Sequence, residues 1–101
     1  MTLTLHHAPV FASTIVRFAL EELELPHTLA LVDIDGGALA SPECHQVNPV
    51  GLIPALETDH GPMFEKAAIL LWLVDRTGRL GPGPTDPDRG AFLSWLFFTS
   101  N

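Results

Sequence analysis

NPVGLIPALETDHGPMFEKAAILLWL, residues 48 to 73, is the stretch whose reading decides the fold. An Asn-Pro-x-Gly turn leads into a short strand, predicted over 53 to 57, with Pro54 near its start. Residues 59 to 62 read as a turn, and Met63 and Phe64 as the return of a hairpin. Glu65 and Lys66 then open a helix, predicted over 65 to 76. Residues 67 to 74 of that helix are apolar on every side, which predicts cover on both faces. A sheet supplies one face; the other calls for a second domain or a second subunit. The unit is β-β-α, and it brings a proline-flanked strand up to a helix start.

Working outward, residues 2 to 6 alternate polar and apolar and read as a strand, which Pro9 ends. From 13 to 24, Ile15, Val16, Ala19, Leu20 and Leu23 recur at helical spacing, with Ser13 or Thr14 as N-cap and Pro26 as the stop. Residues 27 to 33 alternate again. The first 33 residues are therefore β-α-β, whose two strands run parallel. Asp35-Gly36-Gly37 is a turn, and 38 to 46 a weak helix or irregular segment. GPGPTDPD, residues 81 to 88, is dense enough in Gly and Pro to be a linker. Behind it AFLSWLFF opens a helix with Phe92, Trp95, Leu96 and Thr99 on one side. An apolar helix with nothing after it to cover it predicts the beginning of a further domain, and hence a longer chain.

The whole sequence of 101 residues has room for one compact domain. Twelve acids against five Lys and Arg give a formal charge of −7, which disfavours a nucleic-acid partner because phosphate contacts need clustered cations. Cys44 is the one cysteine, so neither an internal disulfide nor a thiolate zinc cluster can form, in keeping with a reducing compartment. No basic, apolar leader and no apolar run of about 18 residues is present. The expectation is a cytoplasmic protein away from the membrane. His6, His7, His45 and His60 are scattered without ligand spacing, so no metal is expected. Cys44-His45 are adjacent and point different ways, which fits a structural role better than a nucleophile pair.

Three segments in order carry a resemblance: ALEELELPH at 19 to 27, NPVGLIPAL at 48 to 56 and FEKAAILLWL at 64 to 73. They resemble the N-terminal, thioredoxin-like domain of the cytosolic glutathione S-transferase superfamily, of bacterial type. Members typically show NPxGxVPxL, a hairpin, then E-S-x-A-I at a helix start. The resemblance implies an α/β, βαβ-α-ββα domain with a mixed four-stranded sheet over residues 1 to 80. It further implies that 89 to 101 are the first helix of an all-helical second domain after the linker at 81 to 88. It implies a homodimer and a cis Pro54, which turns the backbone of Ile53 outward to pair with the cysteinyl unit of glutathione. Glu65 and Lys66, at a helix start that presents free N–H groups, are then the holders of the γ-glutamyl carboxylate.

The sulfur needs a hydroxyl or a helix N-terminus that favours its thiolate. In the family that donor lies at the start of the first helix, here HHAPVFASTIVRF. Ala12 stands where bacterial relatives often have a cysteine, which excludes a cysteine-type mechanism, and the absence of Tyr excludes the tyrosine-type classes. Ser13 is the preferred catalytic hydroxyl, with Thr14 next to it; Val10 occupies the place where some serine-type classes put theirs. Ser13 is equally suited to capping the helix, Glu65 to complementing its dipole, and Lys66 to solvent. Lys66 replaces a serine whose hydroxyl usually receives the carboxylate. One neutral hydrogen bond is worth about 1 kcal/mol, roughly fivefold in affinity, and a charge-assisted contact can offset it. Leu52 replaces a Lys or Gln that reaches the ligand's glycine end. Arg17 packs along the first helix, Trp72 in core or interface, and Trp95 against the second domain.

The function expected is thus attack of the glutathione thiolate on a small electrophile, in detoxification. The alternative is a non-catalytic binding or regulatory module that has lost thiol activation. A glutaredoxin-like oxidoreductase lacks the protein thiolate that its chemistry needs after the first strand.

Overall fold

The structure is a computed structural model that describes residues 2–8, 12–31 and 54–100. Its elements are β1 (Thr4–His7), α1 (Ser13–Glu22), β2 (Thr28–Leu31), β3 (Ala55–Thr58), β4 (Gly61–Phe64), α2 (Lys66–Thr77) and α3 (Arg89–Ser100). The four strands form one mixed sheet in the order β2-β1-β3-β4, with β1 parallel to β2 and antiparallel to β3, and β3 antiparallel to β4. This is the expected thioredoxin-like arrangement. The weak helix at 38 to 46 and the strand start at Ile53 lie outside the described residues.

Alternation along β1 sends Leu3, Leu5 and His7 to one face, each at most 1% exposed. Leu5 is in register with Leu29 on one side and Leu56 on the other, and Leu56 with Met63. One apolar row therefore crosses all four strands. Val16, Leu20 and Leu23 of α1 and its end, and Ile69 and Leu73 of α2, close over that row from the same side of the sheet. On the opposite face His6 reaches diagonally to Glu57, Nε2 to Oε2 at 2.8 Å.

The boundaries shift where the chain's own chemistry decides them. Neither Ser13 nor Thr14 caps α1. Ala12 occupies the N-cap place with helical φ −57° and ψ −23° and makes no side-chain cap bond. The hairpin return is longer than the two residues expected, because Pro62 is tolerated on the edge strand β4, where its missing N–H faces no partner. Thr58 Oγ1 holds the turn, donating to Gly61 C=O at 2.7 Å and accepting from His60 N–H at 3.0 Å. Of the side chains predicted on one side of α3, Phe92 and Leu96 face α1 and α2 across an apolar groove of about 420 Å³. Trp95 does not join them. It is 66% exposed and meets Phe98 edge-on at a centroid distance of 5.6 Å. The segment before α3 is held: Arg89 forks onto Asp75 at 2.8 and 3.3 Å and donates to Pro82 C=O at 3.1 Å. Gly81 passes so close to α2 and α3 that a Cβ there would lie 3.0 Å from Phe92 and 3.1 Å from Val74. No helix among the described residues is long and apolar enough to cross a membrane.

The end of α1 is a Schellman motif. Leu25 N–H bonds to Leu20 C=O at 3.1 Å and Glu24 N–H to Glu21 C=O at 3.0 Å, with Glu24 left-handed at φ 56°. Glycine usually takes that place, since a Cβ there costs roughly 1 kcal/mol. Glu24→Gly is therefore expected to stabilise the fold by about 0.5–1 kcal/mol, read as a raised midpoint in urea with unchanged slope. A lowered midpoint would show that this turn carries no strain.

Candidate functional site

Three strands and two helix starts converge at one end of the sheet. The strand registers end at His6–Ala55 and Ala55–Phe64. Next to that last pair come His7 at the end of β1, Pro54 just before β3 and Glu65 just after β4. His7 and Pro54 are buried and follow Leu5 and Leu56 on the α1/α2 face, whereas Glu65 is exposed. Of the expected binding residues, then, the structure brings together Pro54, Glu65 and Lys66, while Ile53 lies outside the described residues, as does Leu52.

Glu65 stands at the N-cap place of α2 with φ 74° and ψ 117°, a conformation L-residues rarely adopt, and its side chain makes no cap bond. The first intrahelical bond is Ile69 N–H to Glu65 C=O at 3.0 Å. The N–H groups of Lys66, Ala67 and Ala68 are left without helical acceptors. α2 has no acid in its first turn, and the half-buried Lys66 adds a cation to the positive end of the dipole. Such an end suits a carboxylate.

The start of α1 is tied to the same end of the sheet. Ser13 is fully buried and its hydroxyl is committed: it accepts Ala8 N–H at 3.1 Å, donates to Ala8 C=O at 3.1 Å, and lies 3.0 Å from His7 Nδ1. That geometry does not carry the expected role of Ser13 as the hydroxyl facing a ligand's sulfur. Its work is to fasten the end of β1 to the first turn of α1. Thr14 Oγ1 is buried with no hydrogen-bond partner. On the helical wheel it shares a flank with Arg17 and Glu21, an ion pair at 3.0 Å, while Ile15, Ala19 and Glu22 face the groove shared with α2. The first turn of α1 also carries backbone N–H groups that have no acceptor within the helix. Burial, and secondarily the charge of Arg17, hold the His7 imidazole below its ordinary pKa. Sequence reasoning passed over His7 because nothing in the pattern shows that it and Ser13 meet.

Comparison with known proteins bears on what such a site receives. Residues 12–76 match the family model described as glutathione S-transferase, N-terminal domain. The chain belongs to that family. It is 36% identical over 102 residues to the disulfide-bond oxidoreductase YfcG of Escherichia coli, covering 93% of this chain and 46% of that protein. It is 32% identical over 100 residues to glutathione S-transferase F10 of Arabidopsis thaliana, covering 95% and 46%. Among solved structures, a glutathione transferase homolog from Sulfitobacter with bound glutathione superposes with a TM-score of 0.87 at 29% identity, over 99% of this chain and 49% of that one. The chain thus spans about half the length of these relatives.

Two outcomes test the site's physics. Glu65→Gly is expected to stabilise the fold by about 1 kcal/mol by releasing the positive-φ strain, while weakening carboxylate binding, since strain retained at a site is set against function. Stability lower than wild type would show that Glu65 is not strained. His7 sets a pH dependence whose sign follows from its lowered folded-state pKa. The unfolded chain takes up the proton first, near 6.5, so its contribution is complete above that value and is lost as pH falls below it. Denaturation at about pH 7.5 and 5.5 should show a smaller loss in His7→Asn than in wild type. Equal losses would acquit His7.

Proposed function

We propose that this chain is the glutathione-binding part of a glutathione transferase, one that joins the glutathione thiolate to a small electrophile. The observation that supports it best is the meeting of the buried His7 and Pro54 with the positive-φ Glu65 at one end of the sheet, at the open start of α2, in a chain of this family. In this reading the γ-glutamyl carboxylate lies on the N–H groups at Glu65 and Lys66, with the lysine ammonium adding a charge-assisted contact. Ile53 and Pro54 present backbone to the cysteinyl unit, as an edge strand receives a peptide. The sulfur lies toward the start of α1, whose free N–H groups favour the thiolate, and Ser13 places that helix start without touching the sulfur. The thiol proton goes to solvent; the sulfur lone pair forms the C–S bond, and the leaving group departs with its electron pair. Residues 81–88 are then a linker and 89–101 the first helix of a second, helical domain. The protein works as a cytoplasmic homodimer.

A second reading has specific support in the relative named a disulfide-bond oxidoreductase. It needs no protein thiol if both electrons come from glutathione. One glutathione thiolate attacks the disulfide to give a mixed disulfide and release one substrate thiolate; a second attacks the glutathione sulfur of the mixed disulfide, forming glutathione disulfide and expelling the other substrate thiolate.

Calorimetric titration of reduced glutathione into the full chain is the first test, with saturation expected in the millimolar range or below, about −4 kcal/mol or more favourable. No heat at about ten times that concentration would end both readings. Given binding, thioether formation from an activated aryl halide marks the transferase. Reduction of hydroxyethyl disulfide that survives Cys44→Ser marks the second reading. Binding with neither reaction leaves a non-catalytic module.

A further inference from the structure

We propose that His7 is a positioning residue for the glutathione site, fastening the start of α1 in its ligand-receiving place only while the imidazole is neutral. The inference rests on the reading just given and goes beyond it by making the proton a competitor of the ligand.

The hydroxyl of Ser13 has one proton to give and two lone pairs to offer. Its bond to Ala8 C=O uses the proton, and Ala8 N–H takes one lone pair. The remaining lone pair can only accept, so the 3.0 Å contact assigns the proton of His7 to Nδ1. This network is saturated, and all of it is buried: His7 is 1% exposed, Ser13 0% and Ala8 3%. It binds both peptide groups of Ala8, at the end of β1, to the first residue of α1. The N–H groups at the start of that helix are thereby fixed to the end of β1, the strand that pairs with β3 just after Pro54.

Among the described residues a second proton on the ring meets no counter-charge: the charge that acts on His7 is a cation, Arg17, itself paired with Glu21. Leu31, its partner in β2, and Pro54, just before β3, carry no charge. A buried cation without a counter-charge is relieved by opening toward water. Burial first and Arg17 second already hold the imidazole below its ordinary pKa. A ligand that needs the start of α1 in place therefore binds with release of a proton, and by reciprocity a proton weakens the ligand.

The test is glutathione binding to the full chain at about pH 6, measured by calorimetry in two buffers of different ionisation enthalpy, and again at about pH 7 and 5.5. The ligand in these titrations is S-methylglutathione, because the thiol of glutathione would lose its own proton at the start of α1; the remaining carboxylates and amine titrate outside that window. Expected are proton release at pH 6 and an affinity about threefold weaker at pH 5.5 than at pH 7. His7→Asn sets an amide N–H where Nδ1–H stood and cannot titrate; it should lose the proton release and the dependence of affinity on pH between about 7 and 5.5. Wild-type binding without proton release overturns the proposal and leaves the functional reading standing. No binding at pH 7 overturns both. Proton release that persists in His7→Asn belongs to another group and also overturns it. If His7→Asn does not fold, an NMR titration of the wild-type imidazole decides: its pKa must fall on saturation with S-methylglutathione, and an unmoved pKa overturns the proposal.

Discussion

The fold hangs on Leu5. It is fully buried in the central strand and in register with Leu29 and Leu56, so the β-α-β and β-β-α halves share one apolar row. Because side chains alternate with a period of two, that one registration fixes which face of every strand turns inward. It also fixes the row above. Leu5 inward means His7 inward, and Leu56 inward means the same for the buried Pro54. The candidate site is the terrace that the core leaves at its upper edge, and its alignment is inherited from hydrophobic packing rather than from any interaction of its own.

Charge works against that site globally and for it locally. The chain carries −7, which repels an anionic ligand at long range. Against this stand the N–H groups of two helix starts, which have no acceptor within their helices, and the ammonium of Lys66. None of these is neutralised by a first-turn acid, since neither α1 nor α2 has one. Lysine is a poor choice for the first turn of a helix on dipole grounds alone. The aqueous field decays over about 10 Å at ordinary salt, so the short-range donors decide once the ligand arrives.

What could be read from the sequence was whatever periodicity and punctuation encode. The amphipathic spacing of Val16 and Leu20, the alternation around Leu5 and the proline stops gave the elements and their order. Motifs at 48 to 56 and 64 to 73 pointed to the right end of the sheet. What stayed hidden depends on contacts between residues close in space yet assigned to different elements. Ser13 looked like a cap because serine at a helix start usually is one; only the position of Ala8 shows that its hydroxyl is engaged backward, to the strand. His7 looked like one of several scattered histidines. Trp95 was placed by helical phase on the face of Phe92 and Leu96, but α3 turns it to the outside. The unusual backbone of Glu65 had no signal at all, since a glutamate at a helix start is ordinary.

Arg79 gives the molecule a seam. Its guanidinium donates to Leu23 C=O at 3.3 Å and Glu22 C=O at 3.4 Å, closing the carbonyl end of α1 from a position 56 residues further along the chain. α1 and α2 are thus joined where no strand joins them, just beyond the last turn of α2. The practical edge of the sheet-bearing unit is therefore not the end of α2 at Thr77. A chain trimmed there would keep every strand and both helices yet leave α1 with open carbonyls, whereas a cut beyond Gly81 would leave the stitch in place.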